Sequence, residues 1–417
     1  MRILLVLSVV FMMASCADDM YFNMRANSEG SSPATKSGER TVSYNRKVMI
    51  FISGGKNSLY SYLKSDMNDL KSGYVPTYFA GDDVLVVLHR NGSSVQSYAP
   101  TTLLWLYKDR FGKVVQDTLK TWRKGSTPIF SGSTISEALT IVKNRFPASS
   151  YGLIVSSHAS GYLPEGYFNN PTEYEGMHPL SVGQDGDGNK SVEMELPAFY
   201  NSLPYHLDYI LFDACFMGGV ETAYQLRDKA DVIGFSQTEI LAEGFDYTTI
   251  TSRLLKDTPE PVLVCEDYFN QYKGQQDLTY RSATISAVKT EKMDNLAAVC
   301  KTLFQKYRTQ IEKVNSKNVQ QYHRGPTAYI DGVERPFFFD LRDILVKSGV
   351  SDQDMAAFDE ALDKVIIYEA HTEQFMRSFK LENCCGLSMF LPNKGSAILK
   401  NYYKNNIAWN AATELVN

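Results

Sequence analysis

The chain has little cysteine, and its few cysteines form no recognisable framework. Six occur in 417 residues, one of them near the N-terminus at Cys16. The others are Cys215, Cys265, Cys300, Cys384 and Cys385. An odd number is a poor basis for disulfides, and no CxxC pair has zinc-ligand spacing. The sequence therefore predicts neither a disulfide-linked scaffold nor a structural metal site, and it raises the question of what the unpaired thiol does.

The chain also lacks an excess of positive charge. Its formal net charge is −5, with 42 Lys and Arg residues against 47 Asp and Glu residues. Proteins that bind nucleic acid through its phosphates usually carry clustered basic charge, so nucleic acid is not an expected partner. Hydrophobic residues make up 44% of the sequence and charged residues 21%, which is typical of a globular protein with a substantial core. No internal repeat and no transmembrane span is evident.

The N-terminus has the features of an export signal. Arg2 precedes an apolar run over residues 3–14, which is too short for a mature spanning helix. Met13-Ala14-Ser15-Cys16 resembles a bacterial lipobox, whose cysteine becomes the lipid-modified N-terminus; the alternative is an ordinary signal peptide with a chance cysteine. We expect a signal over residues 1–16, a flexible tether over 17–46, and a protein anchored by lipid in the bacterial envelope, at the outer membrane or cell surface.

Short apolar runs alternate with amphipathic segments from residue 47 onward. Strands are predicted at 47–52, 84–88, 151–156, 209–212 and 231–235, with a hairpin over 101–118. This alternation is typical of an α/β fold with a mostly parallel sheet and helices on both faces. We expect the catalytic core over residues 47–260, and a mainly helical C-terminal region over 261–417 that completes it.

Several helices are predicted around these strands. They include residues 58–70, 134–145, 337–350 and 352–367. Thr134 is a plausible N-cap, and Glu137 three residues later would complete a capping box.

Two of the predicted strands end in chemically reactive side chains. His158 follows the strand at 151–156, and Cys215 follows the strand at 209–212. Carboxyl ends of neighbouring parallel strands meet at one edge of a sheet, which is where ligands bind. Taken singly, a cysteine after an apolar strand is more often a buried small hydrophobe, and a histidine there is an ordinary polar end. Together, the two spacings predict a paired thiol and imidazole.

Such a pair would support nucleophilic catalysis. A free thiol has a pKa near ~8.5, so only a few per cent of it is thiolate at neutral pH. A nearby imidazole stabilises the thiolate or accepts the thiol proton, and later protonates the leaving amine. The backbone amides of Cys215 and of residues 159–161 could donate hydrogen bonds to the oxyanion that forms.

Residues 47–393 resemble the clostripain family of cysteine peptidases. The matching stretches are Asn57-Ser-Leu, His158, Met194-Glu-Leu, Phe212-Asp-Ala-Cys-Phe-Met, Gly234-Phe-Ser, Gly244-Phe-Asp-Tyr, Ala283-Thr-Ile-Ser-Ala-Val, Phe339-Asp-Leu and Gly386-Leu-Ser-Met-Phe-Leu-Pro. The resemblance implies a caspase-like fold. It also implies cleavage of protein or peptide substrates after Arg or Lys, through His158, Cys215 and a thioester acyl-enzyme.

The resemblance also implies where a basic side chain would bind. The acidic residue two before the cysteine is Asp213, and a second acidic position is Glu243. A buried carboxylate without a cation is costly, so an acidic pocket selects a guanidinium or ammonium group. The alternatives are a structural carboxylate at Asp213 and an exposed loop charge at Glu243.

Two positions depart from the family pattern. The family usually has glycine after the histidine, whereas this chain has Ala159, which would be strained if its φ were positive. This keeps open an inactive surface lipoprotein that binds peptides or glycans, and another acyl-transfer enzyme is a lesser alternative. Several members of the family also cut themselves after a basic residue in the loop between the histidine and the cysteine. Here only Lys190 is available, and the usual site holds Leu180.

A weak calcium-loop pattern lies in the same loop. Asp185, Asp187, Asn189, Ser191 and Glu193 alternate, but Lys190 stands where the pattern has Gly, and Leu196 where it has Glu. A solvated turn is favoured. We expect no cofactor and a monomeric protein.

Overall fold

The described part of the chain contains a central sheet of nine strands. The computed structural model describes residues 45–55, 57–79, 81–90, 100–122, 128–164, 182–186, 192–323, 329–330, 333–334 and 337–417. The strands are β1 (Lys47–Ser53), β2 (Val84–Arg90), β3 (Thr101–Lys108), β4 (Val114–Thr121), β5 (Ser150–Ser156), β6 (Leu207–Asp213), β7 (Ala230–Phe235), β8 (Thr284–Lys289) and β9 (Ile366–His371).

Twelve α-helices lie among the described residues. They are α1 (Tyr60–Ser72), α2 (Gly132–Arg145), α3 (Leu196–Ser202), α4 (Val220–Gln225), α5 (Ile250–Leu254), α6 (Pro261–Lys273), α7 (Met293–Lys306), α8 (Arg308–Lys313), α9 (Leu341–Lys347), α10 (Asp352–Asp363), α11 (Ala397–Asn406) and α12 (Ala408–Thr413). Short two-residue strands pair as Gln184–Asp185 with Val192–Glu193, Tyr329–Ile330 with Val333–Glu334, Phe339–Asp340 with Ser388–Met389, and Gln374–Phe375 with Phe379–Lys380.

The centre of the sheet is parallel and its edges are antiparallel. The strand order is β9-β8-β7-β6-β5-β1-β2-β3-β4. The five strands from β7 to β2 run parallel to one another, whereas β3, β4, β8 and β9 join in antiparallel pairs. From β1 the chain adds β2, β3 and β4 toward one edge of the sheet. It then returns to the other side of β1 with β5 and adds β6 and β7 toward the opposite edge, so the strand order reverses between β1 and β5. Ligands bind at such a point in open α/β sheets, outside the carboxyl ends of the strands.

Alternate residues of the central strands enter two separate cores. In β1, Val48, Ile50 and Ile52 pack on one face of the sheet, and Met49 and Phe51 pack on the other. Because successive side chains in a strand point to opposite faces, each strand must be apolar throughout, as the sequence indicated. The second face is covered by α1, α5 and α6, and the first by helices that include α2, α3, α4 and α7.

The predicted mostly parallel α/β architecture is confirmed. The C-terminal region is not only helical, however, since it supplies β8 and β9 to the sheet. The helix predicted at 352–367 was wrong in its last part: α10 ends at Asp363, and Ile366–His371 pairs with β8 instead. The apolar run Val365-Ile366-Ile367-Tyr368 suits a strand at the sheet edge.

The predicted capping box was also wrong. Ser131, not Thr134, caps α2, and its hydroxyl accepts the Thr134 N–H at 3.3 Å. The Thr134 hydroxyl donates to the Pro128 carbonyl at 3.0 Å, and Glu137 accepts the Trp122 indole N–H at 2.8 Å. A search of the described residues finds no helix with the length and apolar character needed to cross a membrane.

Candidate active site

The two reactive residues lie at the same edge of the sheet. β5 and β6 pair in parallel with Ser156 opposite Asp213, and the Ser157 N–H donates to the Asp213 carbonyl at 3.3 Å. His158 and Cys215 each come two residues after these paired positions. The register therefore brings both to the same level beyond the carboxyl ends of neighbouring strands, as the sequence predicted.

His158 is held by a residue that follows β1. Its Nε2 lies 2.8 Å from the Ser58 hydroxyl, in a hydrogen bond whose direction depends on the imidazole tautomer. The loop carrying Ser58 is joined to β5 because the Gly54 N–H donates to the Ser156 carbonyl at 2.8 Å. Sequence reasoning missed this role of Ser58, although it lies within the quoted Asn57-Ser-Leu stretch.

The thiol of Cys215 is only partly exposed and lies beside the segment that follows β7. The Ile240 N–H donates to its sulfur at 3.3 Å. Burial, the carboxylate of Glu239 and that of Asp213 together raise the pKa of Cys215 to about 12, although the Ile240 N–H acts in the opposite direction. Burial and the neighbouring carboxylates therefore favour the neutral thiol over the thiolate in the resting site.

A sharp turn follows the cysteine. Phe216 has a φ of 59°, a left-handed conformation that is strained for a bulky residue. Its ring stacks on Phe338 with centroids 4.5 Å apart, and its N–H donates to the Thr238 carbonyl at 2.9 Å. These contacts fix the strained backbone and hold Cys215 at the top of β6.

The loops after the two strands are packed directly against each other. Gly161 has a φ of 65°, and a β-carbon there would lie 2.5 Å from the Phe216 carbonyl oxygen. Only glycine permits both this φ and this approach. Ala159 is buried and is not among the residues with positive φ, so alanine there is unstrained. The alternative of an inactive binding protein, which rested on Ala159, loses its support.

Asp213 is a buried carboxylate on the face of the sheet that α1 and α6 cover. Only 5% of the residue is exposed. The Tyr247 hydroxyl donates to Oδ2 at 2.8 Å, and the Ser156 hydroxyl and the Phe245 N–H also hydrogen-bond to the carboxylate. Burial raises the pKa of Asp213 to about 6, against the lowering effect of these hydrogen bonds.

Glu243 is exposed, but it is linked to Asp213 through its neighbour. A β-carbon at Gly244 would collide with the Asp213 carboxylate, so the 243–247 loop lies directly on Asp213. Burial, Asp213 and Glu243 all raise the pKa of Tyr272, whose hydroxyl donates to the Gly244 carbonyl at 2.9 Å. The loop thus brings the two predicted carboxylates to the same region.

Some predicted positions lie outside the described residues, namely Cys16, Leu180 and Lys190, and also Asp187, Asn189 and Ser191 of the calcium-like pattern. Asp185 is described, and its side chain pairs with Arg90 and accepts the Ile129 N–H at 2.8 Å. Within the described ranges, no group of three or more His, Cys, Asp or Glu side chains is arranged to hold a metal ion.

The chain is similar to known proteins over most of its length. Residues 50–414 match the clostripain family. Clostripain from Hathewaya histolytica is 23% identical over an alignment 422 positions long; the alignment covers 86% of this chain and 77% of clostripain.

Two solved structures are similar in fold. An inactive zymogen of a C11 protease from Parabacteroides distasonis has a TM-score of 0.71 and 25% identity, covering 88% of this chain and 98% of its own. A secreted C11 cysteine protease from Bacteroides thetaiotaomicron, in complex with an irreversible peptide inhibitor, has a TM-score of 0.71 and 24% identity, covering 89% and 99%.

The raised pKa of Cys215 gives a prediction about reactivity. In the resting protein, alkylation of Cys215 by iodoacetamide should increase with pH through about pH 8 to pH 10 without a plateau, because the thiolate fraction rises about tenfold per unit below the pKa. The rate is measured by mass spectrometry of the Cys215 peptide. His158→Ala should leave this profile nearly unchanged. A plateau below pH 7 that disappears in His158→Ala would instead indicate a resting thiolate–imidazolium pair.

The contact between the two loops gives a second prediction. Gly161→Ala should lower kcat/KM for peptide hydrolysis by about ten- to hundred-fold, because it displaces the Phe216 carbonyl and with it Cys215. Gly112→Ala is the matched control, since Gly112 has a φ of 76° with nothing within 4 Å of a β-carbon. The control should show a similar cost in thermal stability from the left-handed φ but unchanged kcat/KM. Equal activity of both variants would contradict the proposed coupling of the loops.

Proposed function

Because the chain belongs to the clostripain family of cysteine endopeptidases, we propose that it hydrolyses peptide bonds on the carboxyl side of Arg or Lys. Cys215 is the proposed nucleophile and His158 its acid–base partner. The observation that carries the proposal is the register of β5 and β6. Because Ser156 lies opposite Asp213, His158 and Cys215 both lie at the same edge of the sheet.

The proposed reaction proceeds in two stages. The Cys215 sulfur attacks the peptide carbonyl carbon while His158 accepts the thiol proton, and the resulting oxyanion accepts hydrogen bonds from the N–H groups of Ala159 and Cys215. The C–N bond then breaks as His158 returns the proton to the leaving amine, which leaves a thioester. A water molecule then gives a proton to His158 and attacks the thioester carbon; the C–S bond breaks, the carboxyl product leaves, and His158 returns the proton to the Cys215 sulfur. Side chains supply both the nucleophile and the proton transfers. The proposed reaction therefore uses no cofactor, and calcium takes part in none of its steps.

The neutral thiol favours proton transfer during attack over a preformed ion pair. Because burial raises the pKa of the Cys215 thiol, its proton is proposed to pass to the imidazole as the S–C bond forms. The Ser58 hydroxyl is positioned to orient the His158 ring for this transfer.

Specificity for Arg or Lys is proposed to come from Asp213 and Glu243. Asp213 is buried, and among the described residues no cation pairs with it. A substrate guanidinium or ammonium would offset the cost of an ionised carboxylate in this position. Glu243 is exposed, so solvent screens its contribution, which we expect to be smaller.

The assignment of the catalytic pair is tested by substitution. Cys215→Ala and His158→Ala should each lower kcat for a fluorogenic Arg peptide by at least about a thousand-fold without unfolding the protein. Cys300→Ala, which removes a buried thiol from α7, is the control and should retain activity. Substantial turnover by Cys215→Ala would refute the nucleophile.

The specificity assignment is tested with peptides that end in Arg, Lys or an uncharged residue. Asp213→Asn should lower kcat/KM for the basic peptides by roughly thirty- to several thousand-fold relative to the uncharged one, the loss expected when a desolvated ion-pair partner is removed. Asparagine can still accept the Tyr247 hydrogen bond, which limits structural damage. An unchanged Arg preference in Asp213→Asn would make the carboxylate structural.

We also propose that the protein is exported and lipid-anchored through Cys16, which follows the lipobox-like run, and that it acts as a monomer. Mass spectrometry of the mature N-terminus should find Cys16 with a diacylglyceryl group; an unmodified N-terminus would refute the anchor.

We further propose that the enzyme is active without being cut in the loop between His158 and Cys215. If activity required cleavage after Lys190, all active protein would instead have a new N-terminus at Ser191.

A further inference from the structure

A second carboxylate, from Asp66, is buried beside Asp213. Asp66 lies in the apolar stripe of α1 with Leu63, Met67 and Leu70, at the spacing of one helical face. Only 6% of the residue is exposed. Charged residues are almost never this buried unless they are paired. Among the described residues, however, its carboxylate accepts no hydrogen bond and pairs with no cation.

The fold directs Asp66 and Asp213 toward each other. Tyr209 and Leu211 of β6 pack in the core on the α1 side of the sheet. Because alternate residues of a strand share a face, Asp213 points to the same side. The residue after this loop also contacts the end of α1, because a β-carbon at Gly73, which follows the helix, would collide with the Thr248 carbonyl. α1 and β6 thus face the same space, with the 243–247 loop across it.

The electrostatic effects on Asp66 and its neighbours agree with this placement. Burial first, then the carboxylates of Asp213 and Asp69, raise the pKa of Asp66 to about 9. Asp66 and Asp213 also act together on two phenols, raising the pKa values of Tyr247 and Tyr272, for which burial is the largest cause. Two buried carboxylates therefore face one region that the described residues supply with no positive charge.

We propose that Asp66 is a specificity-determining residue, and that the basic side chain of the substrate binds between the carboxylates of Asp66 and Asp213. This inference rests on the proposed cleavage after Arg or Lys. It adds a residue from α1 to a pocket that the sequence assigned to Asp213 and Glu243 alone.

The chemistry of the region favours a guanidinium or ammonium ligand. Asp213 is already bonded to Tyr247, Ser156 and Phe245, whereas Asp66 retains both oxygens for a ligand. Without a cation, two nearby carboxylates cannot both ionise at low cost, so Asp66 holds a proton at neutral pH. A bound cation makes both anions favourable, and its arrival displaces that proton.

The proposal predicts a pH dependence of specificity. The titratable groups facing Asp66 are Asp213 from β6, Asp69 from its own helix, Tyr247 from the loop and Tyr272 from α6. The phenols stay protonated because their pKa values are raised, and Asp213 is largely ionised above pH 7. Between pH 7 and pH 9 the titrating group is therefore Asp66, and ionised Asp66 is the form that binds the substrate cation.

The first experiment compares Asp66→Asn with wild type on two peptides that differ only in Arg or Gln at the scissile bond. The ratio of the two kcat/KM values should fall by about ten- to hundred-fold in Asp66→Asn, because a hydrogen-bonded charge pair is lost. Asp69→Asn, which removes a less buried charge one turn along the same helix, should keep or raise the wild-type ratio, because Asp69 raises the pKa of Asp66 and its removal favours ionised Asp66. A wild-type ratio in Asp66→Asn would overturn the inference while leaving the proposed function intact.

The second experiment uses the wild-type protein and so does not depend on a variant that folds. Because kcat/KM reports the pKa values of the free enzyme, the Arg to Gln ratio cancels the titration of Cys215 and His158 there, which both peptides share. It should increase with pH from pH 7 toward pH 9, by up to about tenfold per unit below the pKa, and it should be flat in Asp66→Asn. A flat wild-type ratio that strongly favours Arg would overturn the role of Asp66 alone. A wild-type ratio near one would overturn both the inference and the specificity on which it rests.

Discussion

The parallel pairing of β5 with β6 is the constraint on which the site depends. Because Ser156 lies opposite Asp213, the residues that follow each strand begin at the same height above the sheet. A shift of one residue in this register would turn Asp213 to the opposite face and separate His158 from Cys215. The apolar residues of both strands, which enter cores on both sides of the sheet, fix this register more strongly than any contact within the site could.

The backbone beyond the strands completes what the register begins. Strain at Phe216 and the left-handed turn at Gly161 are sustained by stacking on Phe338 and by close contact between the two loops. The C-terminal region takes part in this support, since the Ser388 N–H donates to the Gly218 carbonyl at 2.9 Å and the Phe390 N–H donates to buried Glu221 at 2.8 Å. Residues far along the chain thus hold the loop that carries the nucleophile, which explains why the family match extends to residue 414.

The features that could be predicted from the sequence are those with a local signal. Apolar runs ending in His158 and Cys215 predicted strands, a parallel sheet and a shared rim, and the structure has all three. The errors occurred where a contact outside the local sequence pattern decides the structure. The Thr134 hydroxyl bonds to the Pro128 carbonyl, and Ser131 caps the helix instead. Ile366–His371 forms a strand because it pairs with β8. Asp66 had a local signal, because it is an acidic residue within the apolar stripe of a helix. Its proposed role depends on Asp213, 147 positions away, and no periodicity in the sequence reveals that contact.

The charges around Cys215 connect substrate recognition with reactivity. Burial raises the pKa of the Cys215 thiol most, and Glu239 and Asp213 raise it further, so these carboxylates favour the neutral thiol over the thiolate. The Coulombic part of this effect depends on net charge, and a cation bound at Asp213 would cancel part of it while excluding water from the site. If a basic side chain binds at Asp213 as proposed, the same carboxylate that favours this ligand also disfavours the thiolate when no cation is bound. Under that proposal the substrate's own positive charge lowers the barrier to its cleavage, and peptides without that charge do not gain this effect.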